Sequence, residues 1–160
     1  MSVNVRLARG EDQAFIEALG LQTALETVSP ARAVTKHDAD QALRRLLAFC
    51  RDRAGTVFLV AETGGQRSGF LILLTDVPDD VTHIPQAFVA YLAVRSEDRG
   101  HGVGRALIQA AIAEGRRRNL PHISLMVSAN NVTARALYES EHFMHDRILM
   151  CRPIGSAEAS

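Results

Sequence analysis

Neither sign of charge is in excess in this sequence, and no long apolar run occurs in it. The 160 residues include 18 basic and 18 acidic side chains, so the formal net charge is zero. A nucleic-acid-binding domain normally carries a basic excess, and nucleic acid is therefore not an expected partner. The run from Gly69 to Leu74 is far shorter than the roughly 20 residues that span a bilayer, and the N-terminal residues lack the apolar core of a signal peptide. We expect a soluble, cytoplasmic protein that does not bind membranes.

Cysteine is scarce, and histidine is scattered. The two cysteines, Cys50 and Cys151, lie far apart and form no CxxC or Cys/His ligand spacing. The six histidines occur singly, without an HxH or HExxH pattern, so no metal site is expected. Both thiols are predicted to be small, buried apolar groups. Cys50 supports this because it shares a helical stripe with Leu43 and Leu47.

The hydrophobic pattern predicts one mixed α/β domain, because 47% of the residues are hydrophobic and the length suits a single core. Strands are predicted at 3–8, 56–61, 69–75, 87–94, 122–127 and 143–151, and helices at about 11–19, 38–53, 103–118 and 131–140. Asp38 is the predicted N-cap of the second helix. Residues 56–75 indicate an antiparallel hairpin, whereas residues 87–127 indicate a parallel strand–helix–strand unit. We expect a twisted mixed sheet flanked by helices, in a single domain over residues 1–154, with a frayed tail at 155–160.

A glycine-rich segment stands between a buried strand and a helix, and it reads Arg99-Gly100-His101-Gly102-Val103-Gly104-Arg105. Glycine permits positive φ and lets a ligand approach the main chain closely. The free N–H groups of a first helical turn, together with the helix dipole, favour an anion. The segment therefore predicts a phosphate cradle, with the two arginines adding positive charge. The alternative is a tight turn that binds nothing.

The two common nucleotide-binding patterns are absent. The P-loop pattern GxxxxGK[ST] needs a lysine, and the only lysine, Lys36, lies in another region. In the dinucleotide pattern GxGxxG, the third glycine would be Arg105 or Leu107. Both nucleotide-binding interpretations are therefore disfavoured.

Two further motifs occur in order in this half of the chain. Arg99, Gly102 and Gly104 fit the pattern [RQ]-x-x-G-x-[GA], and downstream Asn131-x-x-Ala134-x-x-Leu137-Tyr138 precedes Phe143. Together the motifs make the chain resemble the GNAT family of acetyl-CoA-dependent N-acetyltransferases, and the predicted order of elements fits the family fold. The resemblance implies acetyl-CoA as co-substrate and an amine as acceptor. It is also compatible with a homodimer.

The resemblance assigns roles to individual residues. Backbone N–H groups of residues 100–105 would hold the pyrophosphate, the end of the preceding strand would pair with the pantetheine arm, and Tyr138 would protonate the departing sulfur. Spacing adds an independent argument, because Asn131, Ala134 and Tyr138 share one helical face. Tyr138 is the implied catalytic residue. The implied cofactor-binding residues are Leu92, Ala93, Val94, Arg99, Gly100, His101, Gly102, Val103, Gly104, Arg105, Asn131, Ala134 and Tyr138.

The chain departs from the family pattern at two positions. His142 stands where the family has glycine, and Phe88 stands where histone-type members carry a glutamate base. His83 and Gln86 are the nearest polar candidates for receiving a proton, and water is the third. The prediction is direct attack of a small-molecule amine, or of a peptide or protein N-terminus, on the thioester. The alternative is a non-catalytic acyl-CoA-binding regulatory module.

The acceptor pocket is expected at residues 21–37 and 76–86, which carry no recognisable specificity motif. Acids in these stretches, such as Glu26, would attract a cationic amine. The run Arg116-Arg117-Arg118 is predicted to offset the dipole at a helix C-terminus, and not to bind phosphate.

Overall fold

The computed structural model describes residues 2–155 and contains one five-stranded sheet with four α-helices. The strands are β1 (Val3–Leu7), β2 (Thr56–Thr63), β3 (Gln66–Pro78), β4 (Pro85–Val94) and β5 (Ile123–Leu125). The helices are α1 (Gln13–Thr23), α2 (Lys36–Arg51), α3 (Val103–Arg117) and α4 (Val132–Ser140). The strand order is β1-β2-β3-β4-β5; β4 and β5 are parallel, and the other neighbours are antiparallel. The predicted mixed sheet flanked by helices is confirmed.

Helices cover both faces of the sheet, so β3 at its centre is buried on both sides. Alternate residues of a strand point to opposite faces. Phe70 and Ile72 therefore join the core beneath α1 and α2, while Leu71 and Leu73 join the core beneath α3. Cys50 lies in the first of these cores and is fully buried, as its helical stripe predicted.

Helix α2 begins earlier than the sequence pattern indicated. Thr35 is its N-cap: its hydroxyl accepts from the N–H of Asp38 at 3.1 Å, and the Asp38 carboxylate accepts from the N–H of Thr35 at 2.9 Å. This is a capping box, in which the acid belongs at the third helical position. The predicted N-cap, Asp38, is therefore wrong by three residues. Asp38 supplies the second hydrogen bond of the capping box, and Thr35 is the N-cap.

A buried carboxylate ties β1 to β3. The side chain of Asp12, just before α1, is fully buried and accepts hydrogen bonds from Arg6 Nη1 at 2.7 Å, Arg67 Nε at 2.6 Å and the N–H of Arg9 at 2.7 Å. The hydrogen bond from the Arg6 guanidinium is the main reason that the pKa of Asp12 lies far below its ordinary value. The cluster holds the start of α1 on the sheet.

The structure corrects two predictions about the C-terminal part of the chain. Residues 143–151 form no strand. Apolar residues make a strand only where a neighbouring strand takes up their backbone hydrogen bonds, and no described strand pairs with this stretch. Cys151 is exposed and not buried, because the unpaired stretch leaves it at the surface. Of the predicted tail, Gly155 is exposed, and residues 156–160 lie outside the described residues.

Within residues 2–155, no helix is both long enough and apolar enough to cross a membrane.

Candidate active site

A cleft opens where β4 and β5 separate. The two strands pair only between residues 87–89 and 123–125, so residues 90–94 of β4 have no strand on that side. The gap is a cavity of about 240 Å³. Its walls are Thr27, Val89, Ala90, Tyr91, Leu92, Leu125, Met126, Val127, Ser128, Asn131, Ala134 and Tyr138. The short parallel pairing therefore creates a site with a free strand edge on one wall.

One face of α4 forms the other wall. Asn131, Ala134 and Tyr138 all line the cavity, as their spacing predicted. The Asn131 side-chain oxygen also accepts from the N–H of Ala134 at 3.1 Å and caps the helix. The sequence interpretation did not assign Asn131 this capping role, although asparagine at the start of a helix commonly indicates an N-cap. The side-chain NH₂ group of Asn131 is left as a donor.

Tyr138, which carries an ionisable group, lines the cleft. Its ring packs against Phe143 with centroids 5.8 Å apart and planes inclined by 57°. Burial raises the pKa of the phenol above its ordinary value. No described group forms a hydrogen bond with the hydroxyl. The hydroxyl is therefore protonated at neutral pH, and no described group uses it as a donor.

The glycine-rich turn precedes α3 at the end of β4. Gly100 and Gly102 have φ of +77° and +84°, and Gly102 is the N-cap of α3; only glycine takes such values without strain. Gly104 is small for a different reason, since a Cβ there would lie 3.0 Å from Leu137 Cδ2 on α4. Within the described chain, no N–H group of residues 100–105 donates a hydrogen bond. The turn thus presents free donors at a helix N-terminus, where an anion is favoured.

The two arginines of this segment point away from the turn. Arg99 donates to the Val94 carbonyl at 3.2 Å and forms an ion pair with Glu26 at 3.0 Å. Arg105 pairs with Glu141 at the end of α4. The charge that the sequence analysis expected beside the cradle is therefore held by carboxylates in this structure.

The other implied cofactor-binding residues differ in exposure. Val103 and Ala93 are buried, so only their backbones can meet a ligand. Leu92 and Val94 are half-buried, and His101 is exposed in the turn. A site of this kind depends on main-chain groups, and it leaves few side-chain signals in a sequence.

Tyr91 is a cavity residue whose contacts the sequence did not reveal. Its hydroxyl forms a hydrogen bond with Thr23 at 2.9 Å and donates to the Gly20 carbonyl at 3.3 Å. Its ring stacks on Phe70 with centroids 5.7 Å apart, and burial raises its pKa to about 12. The only sign of these contacts in the sequence was a tyrosine within an otherwise apolar strand. Tyr91 therefore attaches the β4 wall of the cavity to helix α1.

The proposed proton acceptors lie outside the cavity. Gln86 is buried and accepts from Ser124 at 2.7 Å, and His83 is an exposed loop residue with φ of +59°. Phe88 packs against the core beneath α1 and α2. No carboxylate, imidazole or thiol is among the cavity walls formed by the described residues. Water in the cleft is the candidate that remains.

Three smaller expectations can be compared with the structure. His142 takes φ of +67° after α4, the left-handed geometry that suits glycine. Arg117 and Arg118 at the end of α3 form ion pairs with Glu114. Among residues 2–155, no group of three or more His, Cys, Asp and Glu side chains is placed to hold a metal ion.

Comparison with known proteins adds to this geometry. The model of the family described as acetyltransferase (GNAT) family matches residues 21–143. The chain is 34% identical over 149 residues to acetyltransferase SG1711 of Sodalis glossinidius, with 92% of each protein covered. Over 63 residues it is 43% identical to the mycothiol acetyltransferase of Acidothermus cellulolyticus, which covers 39% of this chain but 19% of that longer protein.

Solved structures share the whole fold at low identity. A ribosomal-protein-alanine N-acetyltransferase from Brucella melitensis matches with a TM-score of 0.67 and 21% identity, covering 96% of this chain and 100% of that one. AAC(6')-Iy in complex with a CoA-containing bisubstrate analog matches with a TM-score of 0.70 and 17% identity, covering 96% and 99%. The arrangement of sheet and helices is therefore one that acetyltransferases use.

Proposed function

The chain belongs to the GNAT family of acetyltransferases, and on that premise we propose that it transfers an acetyl group from acetyl-CoA to a primary amine. The observation that carries the proposal is a cleft lined by a free strand edge and by Tyr138, with free N–H groups at a helix N-terminus in the turn that follows the same strand. The acceptor is a small-molecule amine or the N-terminus of a peptide or protein.

The residues present fit acetyl-CoA. The N–H groups of residues 100–105 would bind its pyrophosphate, because they are free donors at the positive end of the α3 dipole. The unpaired edge of β4 at Leu92 and Val94 would hydrogen-bond the amide-containing pantetheine arm, as a strand edge accepts an extended peptide. Asn131 would donate from its side-chain NH₂ group to the same arm.

Tyr138 would act as the general acid. The acceptor nitrogen forms a bond to the acetyl carbon, the carbon–sulfur bond breaks, and the Tyr138 hydroxyl gives its proton to the sulfur. Its raised pKa keeps it protonated at neutral pH. The amine loses its proton to water in the cleft, and the tyrosinate regains one from solvent. Attack is direct, because neither Cys50 nor Cys151 lines the cavity.

The test is thiol release from acetyl-CoA against separate panels of polyamines, aminoglycosides, free amino acids and peptides with free N-termini. We expect saturable, amine-dependent release with one class. Binding of acetyl-CoA is measured in parallel by calorimetry. Binding with no release from any panel would contradict the enzyme proposal and favour the non-catalytic acyl-CoA-binding module. Absence of binding would contradict both.

A further inference from the structure

A second surface cavity adjoins the cleft. Its volume is about 250 Å³, which is below the roughly 300 Å³ at which pockets for drug-sized ligands begin. Thr27 and Ser128 belong to the walls of the cleft, while Val28 and Asn130 belong to the walls of the second cavity. The Ser128 hydroxyl donates to the Thr27 carbonyl and joins the two stretches. The same two stretches of chain thus line both cavities, which places the second cavity next to the cleft.

Most walls of the second cavity are apolar. They are formed by Leu25, Val28, Pro30 and Val34. Leu25 is 41% exposed, so a large apolar side chain meets water at this place. A ligand group that covers such a surface gains affinity only if it is apolar itself. The size and the lining of the second cavity therefore favour one short apolar group.

The polar walls of the second cavity supply positive charge and a side-chain amide. Arg32 is one of them, and its side chain forms neither an ion pair nor a hydrogen bond within the described chain. A turn holds its backbone, since the N–H of Arg32 donates to the Ser29 carbonyl at 3.2 Å. Asn130 carries the amide. Because a guanidinium stays protonated and binds a carboxylate through two parallel hydrogen bonds, the cavity also favours an anionic group beside the apolar one.

Negative charge is missing from both cavities. Among the described residues, no aspartate or glutamate lines either of them. Glu26 is the acid that the sequence analysis expected to attract a cationic amine, but it forms an ion pair with Arg99 at 3.0 Å and lines neither cavity. A polycation would find no carboxylate here and would be repelled by Arg32. Polyamines and aminoglycosides are therefore disfavoured as acceptors.

We propose that the acceptor is a free α-amino acid with an apolar side chain, an inference that rests on the acetyl transfer proposed above. The side chain occupies the second cavity, Arg32 binds the carboxylate, and the amine enters the cleft that Tyr138 lines. These three groups of an amino acid share one carbon atom, which suits two cavities that adjoin. The amine nitrogen bonds the acetyl carbon as the carbon–sulfur bond breaks, and the products are an N-acetyl amino acid and CoA. Arg32 is then the residue that selects a free amino acid over a peptide N-terminus.

The first experiment compares kcat/KM for thiol release from acetyl-CoA between matched amines. L-Leucine and L-methionine are expected to exceed their amides, which lack the carboxylate, and glycine, which lacks the side chain, by roughly tenfold or more. Spermidine and the tripeptide leucyl-glycyl-glycine are the cationic and N-terminal comparisons. Equal values for the acids and their amides, or a preference for spermidine or the tripeptide, would overturn this inference and leave the acetyltransferase proposal standing. Release with none of the amines would overturn both.

The second experiment replaces the arginine. We expect Arg32→Gln to raise the KM for L-leucine roughly tenfold with little change in kcat, while the KM for L-leucinamide changes less than about twofold. Arg32→Lys keeps the charge and should retain part of the affinity. The control is Arg45→Gln, because Arg45 is exposed on α2, forms no ion pair in the described part of the chain and lines neither cavity. An equal rise of both KM values in Arg32→Gln would mean that Arg32 supports the loop and does not bind the carboxylate.

Discussion

Tyr138 and Tyr91 line the same cavity but differ in what their hydroxyl groups contact. The Tyr91 hydroxyl is engaged by Thr23 and Gly20, while no described group bonds that of Tyr138. Burial raises the pKa of both phenols. A raised pKa alone therefore does not identify an acid. We propose Tyr138 as the acid because it lines the cavity and its hydroxyl has no partner in the described chain, and a proton donor must reach the atom that it protonates.

Replacing Tyr138 with phenylalanine removes the proposed proton donor and keeps the ring against Phe143. We expect kcat to fall by roughly 100-fold, with the Kd for acetyl-CoA changed less than about threefold. Steady-state kinetics and calorimetry measure the two quantities. The control is Tyr91→Phe, which loses internal hydrogen bonds worth about 1 kcal/mol of stability but keeps most of kcat. Equal kcat in Tyr138→Phe and the parent would remove Tyr138 from the mechanism.

Gly102 provides a second test, because its φ of +84° is unfavourable for any residue with a Cβ. We expect Gly102→Ala to lower the free energy of unfolding by about 1–2 kcal/mol and to weaken acetyl-CoA binding, since relief of the strain would turn the N–H groups away. Gly10→Ala is the control: Gly10 has no positive φ, and an added Cβ would meet nothing within 4 Å. Unchanged acetyl-CoA affinity in Gly102→Ala would contradict the cradle.

Among the secondary-structure elements, those with a strong internal pattern were predictable and those that depend on partners were not. The apolar stripe of α3 and the continuous apolar run of β4 identified a parallel unit correctly, and the spacing on α4 placed three residues on one wall. Residues 143–151 end in four successive apolar residues, which is compatible with a strand, yet an apolar run does not specify a neighbour. The partners of Arg99 and Arg105 could not be predicted either, because Glu26 and Glu141 approach them only after α1 and α4 have packed.

The ion cluster that joins β1, β3 and the start of α1 makes stability depend on pH. The folded-state pKa of Asp12 is far below the unfolded value. Its contribution to stability is therefore complete above about pH 4, and it is lost as the pH falls further toward the folded-state pKa. Asp12→Asn should lower the unfolding free energy at pH 7 by about 3 kcal/mol, since it removes the buried carboxylate that Arg6 and Arg67 share and leaves Arg6 paired with Glu62 alone.

Urea unfolding at pH 7 and below pH 4 measures this effect. The difference between the variant and the parent should shrink in acid. Asp52→Asn is the control, because Asp52 is exposed and forms no ion pair in the described part of the chain; its effect should be within about 0.5 kcal/mol at both pH values. An equal loss for the two variants would contradict a special role of the cluster.

For the molecule as a whole, β4 divides a continuous antiparallel part from a loosely attached remainder. Strands β1 to β4 pair over long registers, whereas β5 is joined by three residue pairs. Beyond β5, α4 lies so close to α3 that a Cβ added at Gly104 would come within 3.0 Å of Leu137. Segments with so few backbone hydrogen bonds open at a lower free energy than the core.

Because β4 and β5 pair so briefly, we expect residues 123–143 to form a separate cooperative unit that opens while the rest of the domain stays folded. A ligand that touches both walls of the cleft bridges the two units. At a concentration of about 100 times its Kd, acetyl-CoA would stabilise the closed state by about 2.7 kcal/mol. At fixed protein concentration, we expect it to slow proteolysis within residues 123–143 far more than within β1 to β3. Equal protection throughout would mean that the domain opens only as a whole. Selective protection would mean that protease resistance of residues 123–143 measures the fraction of molecules with a ligand in the cleft.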